Sequence, residues 1–358
     1  MRTISSAQRQ AIEDLSAEGL LRGLPVQTAE KDIHITDLLK ALGELRVMHG
    51  HFSDLDARKG ELVRHDAGIR LVFAGGTCLS KAHGLIQRMS EDIDLKVVLE
   101  PTPVPLKKGR GQRARLTALH SQLTALLAQL QFPLLPPSAD DGNPSVRDAH
   151  RYFVVGAGYQ STYGQLPSLR PELKLEVIHR TPLLALETRQ FGYLHESLAG
   201  LPPSTTVTMS CISVAETAAE KVLSLLRRCA AQWATPSGRP PATGPADPAL
   251  VRHVHDVARI AEHAGASLAA AREVFAHLVR MDQAEFKGQN PAFDADPVGV
   301  LKHTLAEARH NSSLRQQYQK HLLPLVYDSH PPSFEQAFAA FESVAQDCLA
   351  GCVIPPTG

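Results

Sequence analysis

The feature that most constrains this chain is a strand–glycine–helix–strand segment in its first third. The run IRLVF (69–73) is mostly apolar and ends at Gly75 and Gly76, so it predicts a buried strand that closes in a tight turn. Helical spacing follows over 77–86, and DIDLKVVL (92–99) predicts a second strand. A sheet with a helix between two of its strands favours a mixed α/β fold.

The same segment carries residue types that suit phosphate and metal chemistry. Gly75 and Gly76 let a phosphate approach the backbone, and Thr77 opens a helix whose N–H groups suit an anion. Asp92 and Asp94 lie two apart on a strand, so their carboxylates share one face. Two such oxygen ligands can hold Mg²⁺ or Mn²⁺ together with a triphosphate. A glycine turn or a DxD pair alone is weak evidence for such a site, but the combination predicts nucleotidyl transfer.

Several stretches of the chain resemble a known family. GGTCLSKAHGLIQRMSEDIDL (75–95) closely resembles the signature of the AbiEii-type nucleotidyltransferase toxins of abortive-infection and type IV toxin–antitoxin systems, the group that includes the MenT-like toxins. EKDIHITDLLKAL (30–42) resembles the helix before the core in that family, and AEKVLSLLRR (219–228) and RHVHDV (252–257) resemble two of its later motifs. The resemblance implies a polymerase-β-like nucleotidyltransferase core and an NTP substrate.

The resemblance also assigns site residues. The matching positions are the glycine motif Gly75, Gly76 and Thr77, the metal pair Asp92 and Asp94, and the later Ser90, Lys221, Arg227 and Asp256. Lys221 is implied to contact the nucleotide phosphates, with Arg227 as the basic residue after it. From the residues alone, the simpler interpretation of Lys221 is a surface lysine on an amphipathic helix.

Three further candidates come from the residues themselves. Glu176 lies on a predicted strand (172–179) in which charged and apolar residues alternate, and a third carboxylate beside a DxD pair can orient the attacking hydroxyl. The alternatives are that Glu176 is a structural charge at a strand edge, or that Asp256 orients the hydroxyl instead. Lys81 and Arg88 flank the predicted helix and are within reach of phosphates, or else they only solvate that helix.

A basic segment follows the second strand. Five cations occur within nine residues, and no acidic residue occurs from 101 to 139; the cations are Lys107, Lys108, Arg110, Arg113 and Arg115. Proline and glycine predict a loop over 101–116. Such a patch would attract the phosphate backbone of RNA. The alternative is that these charges only keep an exposed loop solvated.

The remaining pattern defines the expected organisation. We expect N-terminal helices (1–54), a nucleotidyltransferase core with a mixed sheet (55–212) and a C-terminal helical domain (213–358) with a flexible Pro/Gly loop at 234–248. Thr28 is expected to cap the second helix, and Ser213 with Glu216 predicts a capping box. Strands are also predicted over 152–159 and 205–212.

Composition sets the remaining limits. Lys plus Arg and Asp plus Glu both number 37 in 358 residues, so the chain is neither a basic nucleic-acid coat nor an acidic tail. No apolar run is long enough to span a membrane, and the first residues lack the apolar region of a signal peptide. Five cysteines without a CxxC pair indicate reduced thiols. We therefore expect a cytoplasmic protein that does not bind membranes.

Two classes of function remain open. The first is a Mg²⁺-dependent enzyme that transfers NMP from an NTP to a hydroxyl, which by the resemblance is the 3′ end of tRNA. The transfer would arrest growth, and a separately encoded antitoxin would be the cognate partner. The second is a non-catalytic NTP- or RNA-binding protein on the same fold. A variant of the first keeps the chemistry with a protein or an aminoglycoside-type small molecule as acceptor.

Overall fold

The structure is a computed structural model. It describes residues 1–54, 59–102, 110–135, 146–164, 166, 169–170, 172–234 and 247–354, and of residues 51–54, 59–62 and 110 it describes the backbone alone. The chain forms two compact units. The first contains Met1–Ala82, Glu91–Pro182 and Leu186–Cys211, and the second contains His83–Ser90, Leu183–Ala185 and Ile212–Gly358. The division into three parts expected from sequence stays a prediction.

Two helices open the first unit, α1 (Ser6–Ala17) and α2 (Val26–Glu44). Helix α2 is buried along most of its length, charged residues included. The expectation that Thr28 caps α2 is wrong, because the helix begins directly after Pro25 and Thr28 is buried in its first turn. Proline suits that boundary, since its fixed φ and missing N–H match the position before a first turn.

A mixed sheet forms the core of the first unit. In the described part of the chain it has eight strands: β3 (Ile69–Ala74), β4 (Asp92–Leu99), β5 (Leu134–Leu135), β6 (Val146–Arg147), β7 (Tyr152–Gly158), β8 (Glu172–Ile178), β9 (Glu187–Phe191) and β10 (Val207–Cys211). Their order in the sheet is β5–β7–β8–β4–β3–β10–β9, with β6 paired to β7. Strand β4 runs antiparallel to β3 and parallel to β8, which places it inside the sheet.

The strands predicted from apolar or alternating patterns are confirmed, and those without such a pattern were missed. The missed strands include the antiparallel hairpin β1 (Met48–Asp54) and β2 (Lys59–Asp66), part of which falls in the region expected to be helical. Strand β9 was also missed, because three of its five residues are exposed at the sheet edge. A mostly polar edge strand carries little hydrophobic signal.

Three helices accompany the sheet: α3 (Gly75–Lys81), α4 (Arg110–Gln129) and α5 (Leu194–Leu198). Helix α4 begins at Arg110, so the loop predicted over 101–116 is wrong for its last seven residues. Arginine, glutamine and alanine in that stretch are good helix formers, and they outweigh the single glycine. Residues 103–109, with Lys107 and Lys108, lie outside the described residues.

The second unit is helical, as expected from residue 213 onward. Its helices are α6 (Val214–Trp233), α7 (Arg252–Ala264), α8 (Leu268–Glu285), α9 (Pro291–Ala295), α10 (Pro297–Ala308), α11 (Ser312–Gln317) and α12 (Phe334–Ala350). Helix α6 packs against α7, α8 and α10, and α12 packs against α7 and α8. The predicted loop at 234–248 lies largely outside the described residues.

Helix α6 is capped differently from the prediction. Ser213 caps it by accepting from the backbone N–H of Glu216, as expected. The Glu216 carboxylate, however, accepts from the backbone N–H groups of Leu183 (2.8 Å) and Leu184 (2.9 Å). It therefore ties a separate stretch of chain to the start of α6.

Two expectations from composition can be compared with the described residues. The five cysteines are free thiols, and each is buried. No described helix has both the length and the apolar character needed to cross a membrane.

Candidate active site

The turn between β3 and α3 lies directly against the Asp94 carboxylate. Ala74, the last residue of β3, is the antiparallel partner of Asp94 on β4. Gly75 follows with φ +73°, a backbone conformation that disfavours residues with a Cβ. A Cβ on Gly75 would lie 1.7 Å from Asp94 Oδ2. Glycine is therefore required here both for the turn and for the space that the carboxylate occupies.

The two carboxylates of the DxD pair lie beside two charged residues of β8. In the parallel register Asp92 is the partner of Lys174, and Asp94 is the partner of Glu176. Ile93 on the opposite face is fully buried. Strand alternation therefore brings the predicted third carboxylate, Glu176, next to the predicted metal pair.

Lys174 balances part of this negative charge. Its Nζ lies 2.7 Å from Glu176 Oε1. Burial alone would lower the pKa of Lys174, but the charges of Glu176 and Asp92 outweigh it and raise the pKa. Lys174 is thus a fixed cation among the carboxylates, and the sequence analysis did not single it out although its place in the alternating strand was visible.

Thr77 joins α3 to β4, the strand that carries Asp92 and Asp94. Its hydroxyl donates to the backbone carbonyl of Asp92, and the residue is 1% exposed. The side chain predicted to hold phosphate is therefore used inside the unit, and only the backbone of Thr77 remains for such a role. Gly76 is buried beside it.

Lys81 at the end of α3 forms a buried ion pair. Its Nζ contacts Asp32 of α2 and donates to the Gly192 carbonyl at 3.1 Å. The lysine side chain is 4% exposed and that of Asp32 is 3%. Neither of the roles weighed from sequence, a phosphate contact or helix solvation, describes this contact between α3 and α2.

In the second unit, Asp256 is held by two cations. Arg88 forms a bidentate pair with it, from Nε to Oδ1 at 2.7 Å and from Nη2 to Oδ2 at 2.6 Å. Lys221 Nζ lies 2.8 Å from Oδ2. Burial alone would raise the pKa of Asp256, but Arg88 and Lys221 hold it well below its ordinary value. The structure therefore brings together three predicted residues whose contact the sequence did not reveal.

Two other predicted residues of this unit are placed apart from that cluster. Arg227 on α6 pairs with Asp282 at 3.1 Å and stacks on Phe286, with its guanidinium carbon 3.7 Å from the ring centroid. Burial lowers the pKa of Arg227, and the charge of Asp282 opposes the shift. Ser90 lies two residues before β4 and is half-buried.

The basic segment is divided between exposed and structural residues. Arg113 is exposed on α4, whereas Arg115 is buried and donates to the backbone carbonyls of Ala67, Gly68 and Glu100. Arg115 thus fastens α4 to the ends of β3 and β4.

One cation that the sequence analysis missed contacts the DxD pair. Arg170, just before β8, places Nη1 2.9 Å from Asp92 Oδ1. It is isolated from every motif, so periodicity and spacing gave no signal for it.

The donor set suits a hard divalent cation. Asp92 and Asp94 offer carboxylate oxygens on one face of β4, and Gly75 leaves room for the Asp94 carboxylate. Among the described residues no group of three or more His, Cys, Asp or Glu side chains is arranged to hold a metal ion. Magnesium is commonly bound by one or two carboxylates together with substrate phosphates.

A carboxylate pair on an inner strand, set against a glycine turn in a mixed sheet, is the arrangement that the sequence predicts for nucleotidyl transfer. Residues 59–340 match the family model described as the nucleotidyl transferase AbiEii toxin of type IV toxin–antitoxin systems. The chain therefore belongs to the AbiEii family and is a nucleotidyltransferase toxin. The resemblance carried by residues 75–95 is confirmed.

A solved structure supports the same fold. The chain is similar to MenT4, a nucleotidyltransferase toxin from Mycobacterium tuberculosis, with a TM-score of 0.51 and 18% identity over 95% of this chain and 88% of that one. It also matches JHP933 from Helicobacter pylori, with a TM-score of 0.32 and 13% identity over 78% and 84% of the two chains. No curated protein matches in sequence. The MenT4 match confirms the predicted α/β fold.

Proposed function

We propose that this toxin transfers NMP from an NTP to the 3′-terminal hydroxyl of tRNA in a Mg²⁺-dependent or Mn²⁺-dependent reaction. The observation that carries the proposal is the carboxylate pair Asp92 and Asp94 beneath Gly75, with Glu176 beside it. The acceptor is inferred from the family resemblance, and the exposed Arg113 adds positive charge for an RNA backbone.

Asp92 and Asp94 are the residues that would hold the divalent cation. When bound, such an ion offsets phosphate charge and polarises the attacking hydroxyl. We expect the backbone N–H groups of Gly75, Gly76 and Thr77, at the start of α3, to bind the triphosphate. The prediction that Lys221 contacts the nucleotide phosphates stays a prediction; in its own unit the ammonium is positioned by Asp256.

Glu176 is the carboxylate that we assign to the acceptor hydroxyl. Its side chain is 32% exposed, whereas that of Asp256, the other candidate, is 0% exposed and has both oxygens engaged by cations. In the reaction the hydroxyl oxygen bonds to the α-phosphorus, the bond from that phosphorus to the bridging oxygen breaks, and pyrophosphate leaves. The hydroxyl proton passes to Glu176.

The test measures label transfer from each α-³²P-labelled NTP, with and without Mg²⁺, to tRNA, total protein and an aminoglycoside. We expect label in tRNA, a loss of at least about 100-fold in Asp92→Asn and Asp94→Asn, and a similar loss in Glu176→Gln. Glu100→Gln is the control, because Glu100 follows the same strand and pairs with Arg70 at the surface. Label in protein or drug would reassign the acceptor.

Growth arrest provides a second test. We expect wild-type expression to stop growth, the cognate antitoxin to relieve it, and Asp92→Asn to be tolerated at equal abundance. If the Asp92→Asn protein stops growth as strongly as the wild type, toxicity does not need the transfer. The chain would then act as an NTP- or RNA-binding protein.

A further inference from the structure

Arg170 is the residue on which this inference rests. Its Nη1 lies 2.9 Å from Asp92 Oδ1, and the two side chains are 44% and 26% exposed. Ion pairs this exposed to water contribute little to stability, because water and salt screen them. The contact is therefore easily exchanged for another partner.

The backbone of Arg170, in contrast, is held on both sides. Its N–H donates to Glu91 Oε2 at 3.0 Å, and its carbonyl accepts from Lys31 Nζ at 2.8 Å. Lys31 and Glu91 also pair with each other at 3.0 Å, with side chains 0% and 4% exposed. A buried ion pair thus fixes the main chain of Arg170 beside the metal-ligand strand.

Burying that ion pair is expensive, since both charges leave water. Burial lowers the pKa of Lys31, and the charge of Glu91 opposes this shift. Lys31 and Glu91 also form hydrogen bonds with the backbone of Arg170. The buried ion pair therefore determines where the exposed Arg170 lies. A fixed backbone with an exchangeable guanidinium is a suitable arrangement for binding a ligand.

The charges around Asp92 indicate what that ligand is. A divalent cation on Asp92 competes with the guanidinium for the same oxygen and repels it. The guanidinium presents a planar fork of donors that matches phosphate oxygens. Lys174, the strand partner of Asp92, remains paired with Glu176 and so leaves Arg170 as the cation to be displaced.

We propose that Arg170 is a nucleotide-phosphate-binding residue that exchanges Asp92 for a phosphate of the NTP when the cation binds, and that Lys31 and Glu91 position it. This inference rests on the proposed function, because it requires a cation on Asp92. Arg170 lies outside the motifs matched in the sequence. It would weaken metal binding in the absence of nucleotide and strengthen nucleotide binding once the metal is bound.

The test uses the full chain and the variant Arg170→Ala. Without nucleotide, Mn²⁺ affinity measured by electron paramagnetic resonance should rise by up to about five-fold, because a competing cation is lost. With saturating Mg²⁺, affinity for α,β-methylene NTPs, measured by calorimetry with each of the four, should fall about ten-fold or more. Arg170→Lys should keep part of the nucleotide affinity, since it lacks the fork.

Arg70→Ala is the matched control. Arg70 is similarly exposed and paired with a carboxylate at the surface, and it should leave both affinities unchanged. Lys31→Met should lower nucleotide affinity in the same direction as Arg170→Ala, provided that circular dichroism confirms its fold. Arg170→Ala is itself expected to fold, because the contact with Asp92 lies at an exposed position.

The outcomes separate this inference from the proposed function. If wild-type protein fails to bind Mn²⁺ through Asp92, tested with Asp92→Asn, the proposed function fails. If wild-type binding is normal but Arg170→Ala leaves nucleotide affinity unchanged, the role of Arg170 is overturned. It is also overturned if the variant weakens tRNA binding alone, since the phosphate would then belong to the acceptor.

Discussion

The Cα atom of Gly75 faces the Asp94 carboxylate so closely that a methyl group on it would overlap Oδ2. The same methyl group would lie 2.9 Å from Asp94 Cβ, an atom that side-chain rotation does not move away. The start of α3 and the metal-ligand strand are thus fitted to each other at one glycine. This contact makes a direct test of the site geometry possible.

We expect Gly75→Ala to lower the free energy of unfolding by more than the strain of a positive φ alone would. Gly19 is the matched control, since it has φ +72° against +73° for Gly75, and a Cβ added to it would meet nothing within 4 Å. Gly19→Ala should lower the free energy of unfolding by about 1 kcal/mol through φ strain. Gly75→Ala should lower it further and abolish Mn²⁺ binding. Equal unfolding curves for the two variants, with Mn²⁺ binding retained, would contradict the fit.

Asp256 should make stability depend on pH under acidic conditions. Its native pKa lies below the ordinary value of 3.8, so its pairing stabilises the fold above that pH and is lost as the pH falls towards the native value. Asp256→Asn should lower the free energy of unfolding by about 3–5 kcal/mol at pH 7, because Arg88 and Lys221 lose their buried counter-charge. The deficit should shrink towards pH 3 in urea titrations.

Asp14→Asn serves as the reference for the Asp256 experiment, since Asp14 is exposed on α1. It should stay within about 0.5 kcal/mol of wild type throughout. A constant difference between Asp256→Asn and wild type from pH 7 to pH 3 would argue against a depressed pKa at Asp256.

Glu216 should determine how tightly residues 183–185 are held. Its carboxylate accepts from two backbone N–H groups, and Glu216→Ala leaves both without that acceptor, at a cost of about 2–4 kcal/mol. Glu216→Gln should lose about half as much, because a neutral acceptor makes weaker bonds. Hydrogen exchange should accelerate most at Leu183 and Leu184. Unchanged exchange there in Glu216→Ala would refute the assignment.

His34 should destabilise the fold as pH falls. Burial, with a smaller contribution from Arg2, lowers the pKa of His34 to about 3. The unfolded chain binds a proton at this residue near pH 6.5 and the native chain does not, so stability declines between about pH 6.5 and pH 3. Neither ring nitrogen has a hydrogen-bond partner among the described residues.

His34→Phe should therefore flatten the stability profile between pH 4 and 6.5. A phenyl ring can occupy the position between Tyr159 and Phe132, whose ring centroids lie 4.5 Å and 6.0 Å from that of His34. His303→Ala, at an exposed side chain, should keep the wild-type profile. Parallel slopes for all three proteins would exclude His34 as the source.

Short-range patterns in the sequence predicted the strands and the faces on which their charged residues lie. Alternation in 92–99 and 172–178 was enough to place Asp92, Asp94 and Glu176 on one face of neighbouring strands. The partners of buried polar groups were not predictable, because they are distant in sequence and periodicity carries no pairing information. Arg170 and Lys31 are 139 residues apart.

Other failures had local physical causes. The capping-box pattern at Ser213 was present, but tertiary contacts redirected the Glu216 carboxylate. Strand β9 was missed because an edge strand facing water needs no apolar alternation.

Because β4 lies inside the sheet, its sequence tolerates less change than the segments outside the sheet do. With β3 on one side and β8 on the other, the strand has no free edge, and a one-residue shift of its register would turn both carboxylates to the opposite face. Changes in nucleotide binding are therefore expected outside the ladder, at positions such as Arg170. Efforts to tune that binding should vary Arg170 and leave the strand untouched.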